Sequence, residues 1–147
     1  MSLHSYSRCW LHLIWSTLNR EKRFTIESAI KLSDHLTEYV QEKDIYMKIN
    51  YVNPEHVHAL IDLPTKYSIE EIIKLLKGNS SHWINENGIV KRKFAWGRGY
   101  GAFSVSHSKA SSVAKYIAEQ REHHRKKTFM EEYQDFIEKY GMEFKNE

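Results

Sequence analysis

The residues best suited to chemistry in this chain fall into two pairs. His56-Val57-His58 sits in a short apolar run, and Tyr116 and Gln120 lie well downstream in a segment with helical spacing. In a strand, residues two apart point to the same face, so His56 and His58 project together and can grip one cation. In a helix, residues four apart share a face, so Tyr116 and Gln120 also project together. Two imidazoles with a nearby carboxylate or amide make a credible divalent site. A cation standing beside a phenolic hydroxyl suits attack of that tyrosine on a phosphodiester.

Each pair also has a plainer explanation. With nine histidines in 147 residues, roughly 0.5 His-x-His triplets per chain are expected by chance. Context carries the weight: Leu60 and Asp62 continue the face of His56 and His58, while Val57, Ala59 and Ile61 supply the opposite face. Tyr116, with Val113 and Ile117 nearby, has the spacing of a core tyrosine with its hydroxyl at the rim. His123 and His124 are placed to reach a metal or a phosphate, or to neutralise a helix end.

A third feature is basic. Lys91, Arg92 and Lys93 lead into Phe94, Trp96, Arg98, Tyr100 and Phe103, and a second cluster holds Arg121, Arg125, Lys126 and Lys127. Cations interleaved with aromatics can follow a phosphate backbone while stacking on unpaired bases. The alternative is a solvated loop whose aromatics anchor it to the core. The net charge of +3 is too small to declare nucleic-acid binding alone. No phosphate-binding Gly-x-x-x-x-Gly-Lys loop is present, which argues against a nucleotide cofactor. The single Cys9, in the predicted apolar first strand, excludes a disulfide framework within the chain and suits a reducing compartment. No run reaches the length of a membrane helix, so the expectation is a cytoplasmic protein away from membranes.

Residues 1–147 read as one domain. Strands are predicted over 5–17, 45–52, 56–63 and 102–105, with Asn53-Pro54 turning the second into the third. Helices are predicted over 26–44, with Thr25 as cap and Ile30, Leu36, Tyr39 and Val40 as its stripe, and over 68–88, opened by a Ser68–Glu71 capping box. A third, capped by Ser106 or Ser108, runs through Tyr116 to about His124, and a last one follows Thr128 to Gly141. This order is an α+β, ferredoxin-like βαββαβ antiparallel sheet with helices on one face plus C-terminal helices. The other face is expected to be free for a site.

These segments resemble the single-tyrosine HUH transposases of small bacterial insertion sequences and their REP-associated relatives. The likeness spans nearly the whole chain. It rests on Leu11-His12-Leu13-Ile14-Trp15-Ser16-Thr17, on Asn53-Pro54-Glu55-His56-Val57-His58, on the stretch from Trp96 to Ser106, and on Tyr116-Ile117-Ala118-Glu119-Gln120 followed by His123-His124. Two departures stand out: Ala59 where a bulkier aliphatic residue is common, and Gly97 where the family often has Gln. The first could loosen packing under the site, the second alter DNA contacts.

The resemblance implies a homodimer acting on single-stranded DNA, often at hairpin ends. It implies His56, His58 and Gln120 as ligands of a divalent cation, Mg²⁺ or Mn²⁺, and Tyr116 as nucleophile. Cleavage and strand transfer would then pass through a 5′-phosphotyrosine. In this family the tyrosine helix can complete the partner subunit's site, so Tyr116 serves either its own subunit or a partner. Two rivals remain: a non-catalytic binder of single-stranded or hairpin DNA on the same fold, and a metal-dependent phosphodiesterase using water with His56, His58 and Asp62.

Overall fold

The computed structural model describes residues 5–143. Four strands, β1 (Trp10–Ser16), β2 (Tyr46–Val52), β3 (His56–Asp62) and β4 (Gly101–Val105), form one sheet in the order β2-β3-β1-β4. Every neighbouring pair is antiparallel. β3 thus lies between β1 and β2, which is the split arrangement expected for a ferredoxin-like α+β fold.

Alternation along the strands divides the core. Leu11, Leu13 and Trp15 of β1 and Val57, Ala59 and Ile61 of β3 face α1 (Ile26–Glu42) and α2 (Ile69–Glu86). Both helices open with capping boxes, Thr25 with Ser28 and Ser68 with Glu71, which satisfy amide donors that the first turn leaves free. In α1 the buried stripe is Leu32, Leu36, Tyr39 and Val40, whereas Ile30 is exposed. The first apolar member of the stripe is therefore Leu32, two positions beyond the expected Ile30. Ala59 is fully buried in this core. Gly97 follows Trp96, which bridges to Thr17 at the end of β1. A Cβ on Gly97 would lie 3.3 Å from the Thr17 carbonyl oxygen, so the chain's close approach favours a residue without a side chain.

The second face of the sheet is not free, contrary to the sequence-based expectation. Trp10, His12 and Ile14 of β1, with His56, His58 and Leu60 of β3, are covered by α3 (Ala110–Ala118), α4 (Gln120–His123) and α5 (Phe129–Lys139). The apolar stripe of α5, Phe129, Tyr133, Phe136 and Ile137, packs with Ile14 and Phe103 and supplies the driving force for this docking. A short 3-10 turn over His107–Lys109 delays α3, and no side chain of Ser106 or Ser108 caps it. The predicted single helix breaks at Glu119 (φ −100°, ψ 23°), separating α3 from α4. Cys9 lies outside β1, and its thiol is free and exposed.

Candidate active site

The break at Glu119 sets the site. α3 lays Ile117 against Leu60 and Trp10 and leaves Tyr116 half-buried beside the His12 and His58 rings. α4 then turns Gln120 fully inward. The Gln120 Nε2 donates to Glu132 Oε2 at 3.3 Å, and its Oε1 accepts from Asn53 Nδ2 at 3.2 Å. The Tyr116 hydroxyl donates to the same Glu132 oxygen. Tyr116 and Gln120 therefore converge on one point with His56 and His58, all within one subunit.

His56 and His58 are both fully buried, with their Nε2 atoms 3.2 Å apart. His124, just past α4, brings a third imidazole; its Nε2 lies 3.0 Å from Gln120 Oε1. Each of the three rings is held from behind. His56 Nδ1 meets Glu55 Oε1 at 2.7 Å, His58 Nδ1 meets His12 Nε2 at 2.7 Å, and His124 Nδ1 meets the Lys127 carbonyl at 3.0 Å. Partners on Nδ1 leave each Nε2 turned inward, the way metal-binding histidines are oriented. The donor set therefore fits a divalent cation: His56, His58, His124 and Glu132 each offer a ligand atom within 4.8 Å of the others.

Electrostatics bind this cluster together. Burial would raise the Glu132 carboxyl, but hydrogen bonds from His124, His56 and His58 hold it far below the ordinary carboxylate range. Burial and the adjacent Glu132 push the Tyr116 hydroxyl above its ordinary range, which opposes phenolate formation in this arrangement. Burial carries His58 down to about 4, so its ring is neutral near pH 7. His12 is also lowered, by burial and by His58. His124 goes the other way: burial pulls it down, but the hydrogen bond and charge of Glu132 raise it on balance.

These directions fix a pH response for the metal-free protein. His58 and His12 have folded-state values below the ordinary 6.5, so the unfolded chain binds more protons and stability falls below that pH. For His58 alone, the loss between 6.5 and about 4 is roughly 3 kcal/mol. The raised His124 stabilises fully below 6.5, and its contribution is lost as pH rises through its higher value. Chemical denaturation in the presence of a chelator should therefore show a stability maximum near pH 6.5. A stability that still climbs as pH is lowered from 6.5 to 5 would contradict the assignment.

Two openings reach the cluster. A cleft of about 340 Å³ is lined by Tyr116, His123, His124, Glu132, Lys126 and Lys127, so the tyrosine is accessible from a basic side. His123 stacks on the Tyr116 ring at 4.5 Å. A larger groove, about 660 Å³, passes Asn53, Glu55 and His124 and carries Arg121 and Arg125 on its wall.

The basic loop is divided. Lys91, Arg92, Lys93, Arg98 and Tyr100 are exposed. Trp96 is a core residue, with its indole Nε1 donating to buried Ser80 at 2.9 Å, so it is not free to stack on a base. Phe94 and Phe103 are likewise buried. Lys77 and Arg23 donate to loop carbonyls and hold its shape. Asp62, offered above as a ligand for a water-using enzyme, lies at the far end of β3, where it accepts from the Cys9 amide and pairs with Arg8. It takes no part in the cluster.

Residues 5–120 match the sequence profile of the family described as IS200-like transposases. The chain belongs to this family. Related transposases of insertion sequence element IS200 from Salmonella typhimurium and Salmonella typhi are each 27% identical over 124 residues, covering 81% of this chain and 81% of theirs. Among solved structures, a Deinococcus radiodurans R1 protein described as a transposase has 24% identity and a TM-score of 0.65 over 82% of this chain and 96% of its own. A REP-associated tyrosine transposase bound to a REP hairpin has 14% identity and a TM-score of 0.60 over 84% and 74%. These two likenesses establish the fold. Membership makes this a transposase-type DNA-processing protein, and no helix among the described residues is long and apolar enough to cross a membrane.

Sequence reasoning missed Glu132 and His12. Glu132 carried a signal: it is a charged residue at i+3 from Phe129 and i−4 from Phe136, inside the apolar stripe of α5. His12 alternates with Leu11 and Leu13, which places it on the face of His56 and His58 once the strands pair.

Proposed function

We propose that this chain cuts and rejoins single-stranded DNA by attack of Tyr116 on a scissile phosphodiester. The bond from the tyrosine oxygen to phosphorus forms as the bond from phosphorus to the 3′ oxygen breaks. The phenol gives up its proton and the departing 3′ oxygen gains one, leaving a 5′-phosphotyrosine and a free 3′-hydroxyl. The joint conserves the phosphodiester, so a second 3′-hydroxyl can reverse the step and connect a new strand without ATP. The observation that carries this reading is the convergence of the Tyr116 hydroxyl with the His56–His58 pair on one carboxylate, Glu132, at the mouth of a basic cleft.

His56, His58 and Gln120 would hold Mg²⁺ or Mn²⁺. Such a cation would supply Lewis-acid stabilisation of phosphate charge, and imidazole donors favour Mn²⁺ over the harder Mg²⁺. The residues around it do the rest. Asn53 fixes the Gln120 amide, Glu55 fixes the His56 ring, and His123 stacks on the nucleophile. Lys126 and Lys127 flank the cleft where a phosphate would sit, and Arg121 and Arg125 line the adjoining groove. Exposed Lys91, Arg92, Lys93, Arg98 and Tyr100 are assigned to DNA contact as well. The REP-hairpin complex of the structural neighbour supports a hairpin-ended DNA partner; a homodimer is the working unit we propose.

The test is incubation with hairpin-bearing single-stranded DNA and Mn²⁺, then denaturing electrophoresis. DNA linked to protein is expected. Release of all cleaved ends as free DNA would favour water as nucleophile, and binding without any cleavage would favour a non-catalytic binder.

A further inference from the structure

The cluster holds more donors than the proposed reaction uses. His124 and Glu132 both lie beyond residues 5–120, the stretch matched by the family profile, yet both enter the seat formed by His56 and His58. Glu132 Oε1 stands 3.1 Å from His58 Nε2, 3.5 Å from His56 Nε2 and 3.3 Å from His124 Nε2. His56 Nε2 and His58 Nε2 are 3.2 Å apart.

Those separations, hydrogen bonds in the metal-free protein, are close to the edges of a coordination shell. Donors about 2.1 Å from a first-row divalent ion lie roughly 3.0–3.4 Å from one another, from octahedral to tetrahedral geometry. Three imidazole nitrogens and one carboxylate oxygen, all within 4.8 Å of one another, can surround a single ion as four corner donors. The outer partners strengthen the case, because a carboxylate, a histidine and a backbone carbonyl each fix one ring from behind.

We propose that His56, His58, His124 and Glu132 together form a four-donor seat for a first-row transition cation such as Mn²⁺, Co²⁺ or Zn²⁺, closed by α5 in the DNA-free protein. The seat deepens the reading given above and rests on it for the His56–His58 pair. Three imidazoles and one carboxylate discriminate against Mg²⁺, which prefers oxygen donors and retained water. Glu132 has a second task in this state: its other oxygen holds the Tyr116 hydroxyl, so the carboxylate ties the nucleophile to the seat. A DNA phosphate entering the cleft would have to take the place that Glu132 fills, which makes α5 the element that yields on substrate binding.

Cation affinity of the metal-stripped full-length protein, without DNA, tests this directly. Titration calorimetry and chelator competition with Mn²⁺, Co²⁺ and Zn²⁺ should give one site per chain, and Mg²⁺ should not compete at equal concentration. Glu132→Gln and His124→Ala should each weaken Co²⁺ binding by about tenfold or more and alter the visible spectrum of bound Co²⁺. His124 is partly exposed, so its variant is the check should Glu132→Gln fail to fold. Unchanged or tighter Co²⁺ binding in the folded variants would overturn the proposal and make Glu132 a plug rather than a ligand. That outcome is separable from failure of the cleavage reading, since protein–DNA adducts are scored independently with the unaltered chain.

Discussion

Tyr116→Phe is expected to bind hairpin DNA as well as the unaltered protein and to form no covalent adduct with it. Cleavage should fall by a factor on the order of 10⁴ or more, the usual consequence of deleting a nucleophile while leaving the rest of a site intact. The substitution is well suited to the purpose. It removes only the hydroxyl that Glu132 accepts from, and keeps the ring that stacks on His123 and lies edge-on to His58. Gel shift and denaturing electrophoresis on the same samples separate binding from chemistry. Cleavage by the variant at the unaltered rate would remove Tyr116 from the mechanism.

The second large effect belongs to the histidine pair. His56→Ala and His58→Ala should each lower metal-dependent cleavage by at least about a thousandfold, because loss of a ligand forfeits several kcal/mol of stabilisation. The fold does not tolerate these changes freely. His56 is fully buried, stacks on Phe129 at 4.0 Å and shares Glu132 with His58 and His124. Truncation leaves Glu132 and Glu55 short of partners and opens a void, costing about 1–3 kcal/mol in the metal-free protein. A strand face open to solvent would have absorbed the change; this one is roofed by α5. Denaturation curves measured beside cleavage rates distinguish loss of chemistry from loss of fold. Full cleavage by a folded His56→Ala protein would show that the cation is held elsewhere.

The four strands were legible because their segments are rich in branched and aromatic residues and are bounded by turn signals. Within β3, Val57, Ala59 and Ile61 against His56, His58 and Leu60 assign the two faces by period. The capping boxes at Ser68 and Thr128 marked their helices for the same local reason. What the pattern could not reveal was where the last helix goes. The sequence shows that α5 is amphipathic, but its partner surface is fixed by the break at Glu119, and an extended helix through His124 would have carried the chain elsewhere.

The same distinction explains the site. His56, His58, Tyr116 and Gln120 could be found because their spacing within single elements is informative. Glu132 is brought in by docking of a separate helix, so spacing says nothing of its distance from His58. The acid in the apolar stripe of α5 was the available clue. Trp96 erred in the opposite direction: beside Lys91, Arg92, Lys93 and Arg98 it looks like a stacking platform, yet its pairing with Trp15 and its bond to Ser80 make it core. Composition cannot separate an aromatic that anchors a loop from one that the loop presents.

Locating the nucleotide on the protein tests the central claim most directly. Unaltered protein is incubated with hairpin-bearing single-stranded DNA and Mn²⁺, digested with nuclease and protease, and analysed by mass spectrometry. The predicted result is one peptide bearing a 5′-linked nucleotide on Tyr116. A nucleotide on Tyr133, Tyr140 or any other residue, or cleaved DNA with no modified peptide, would contradict it.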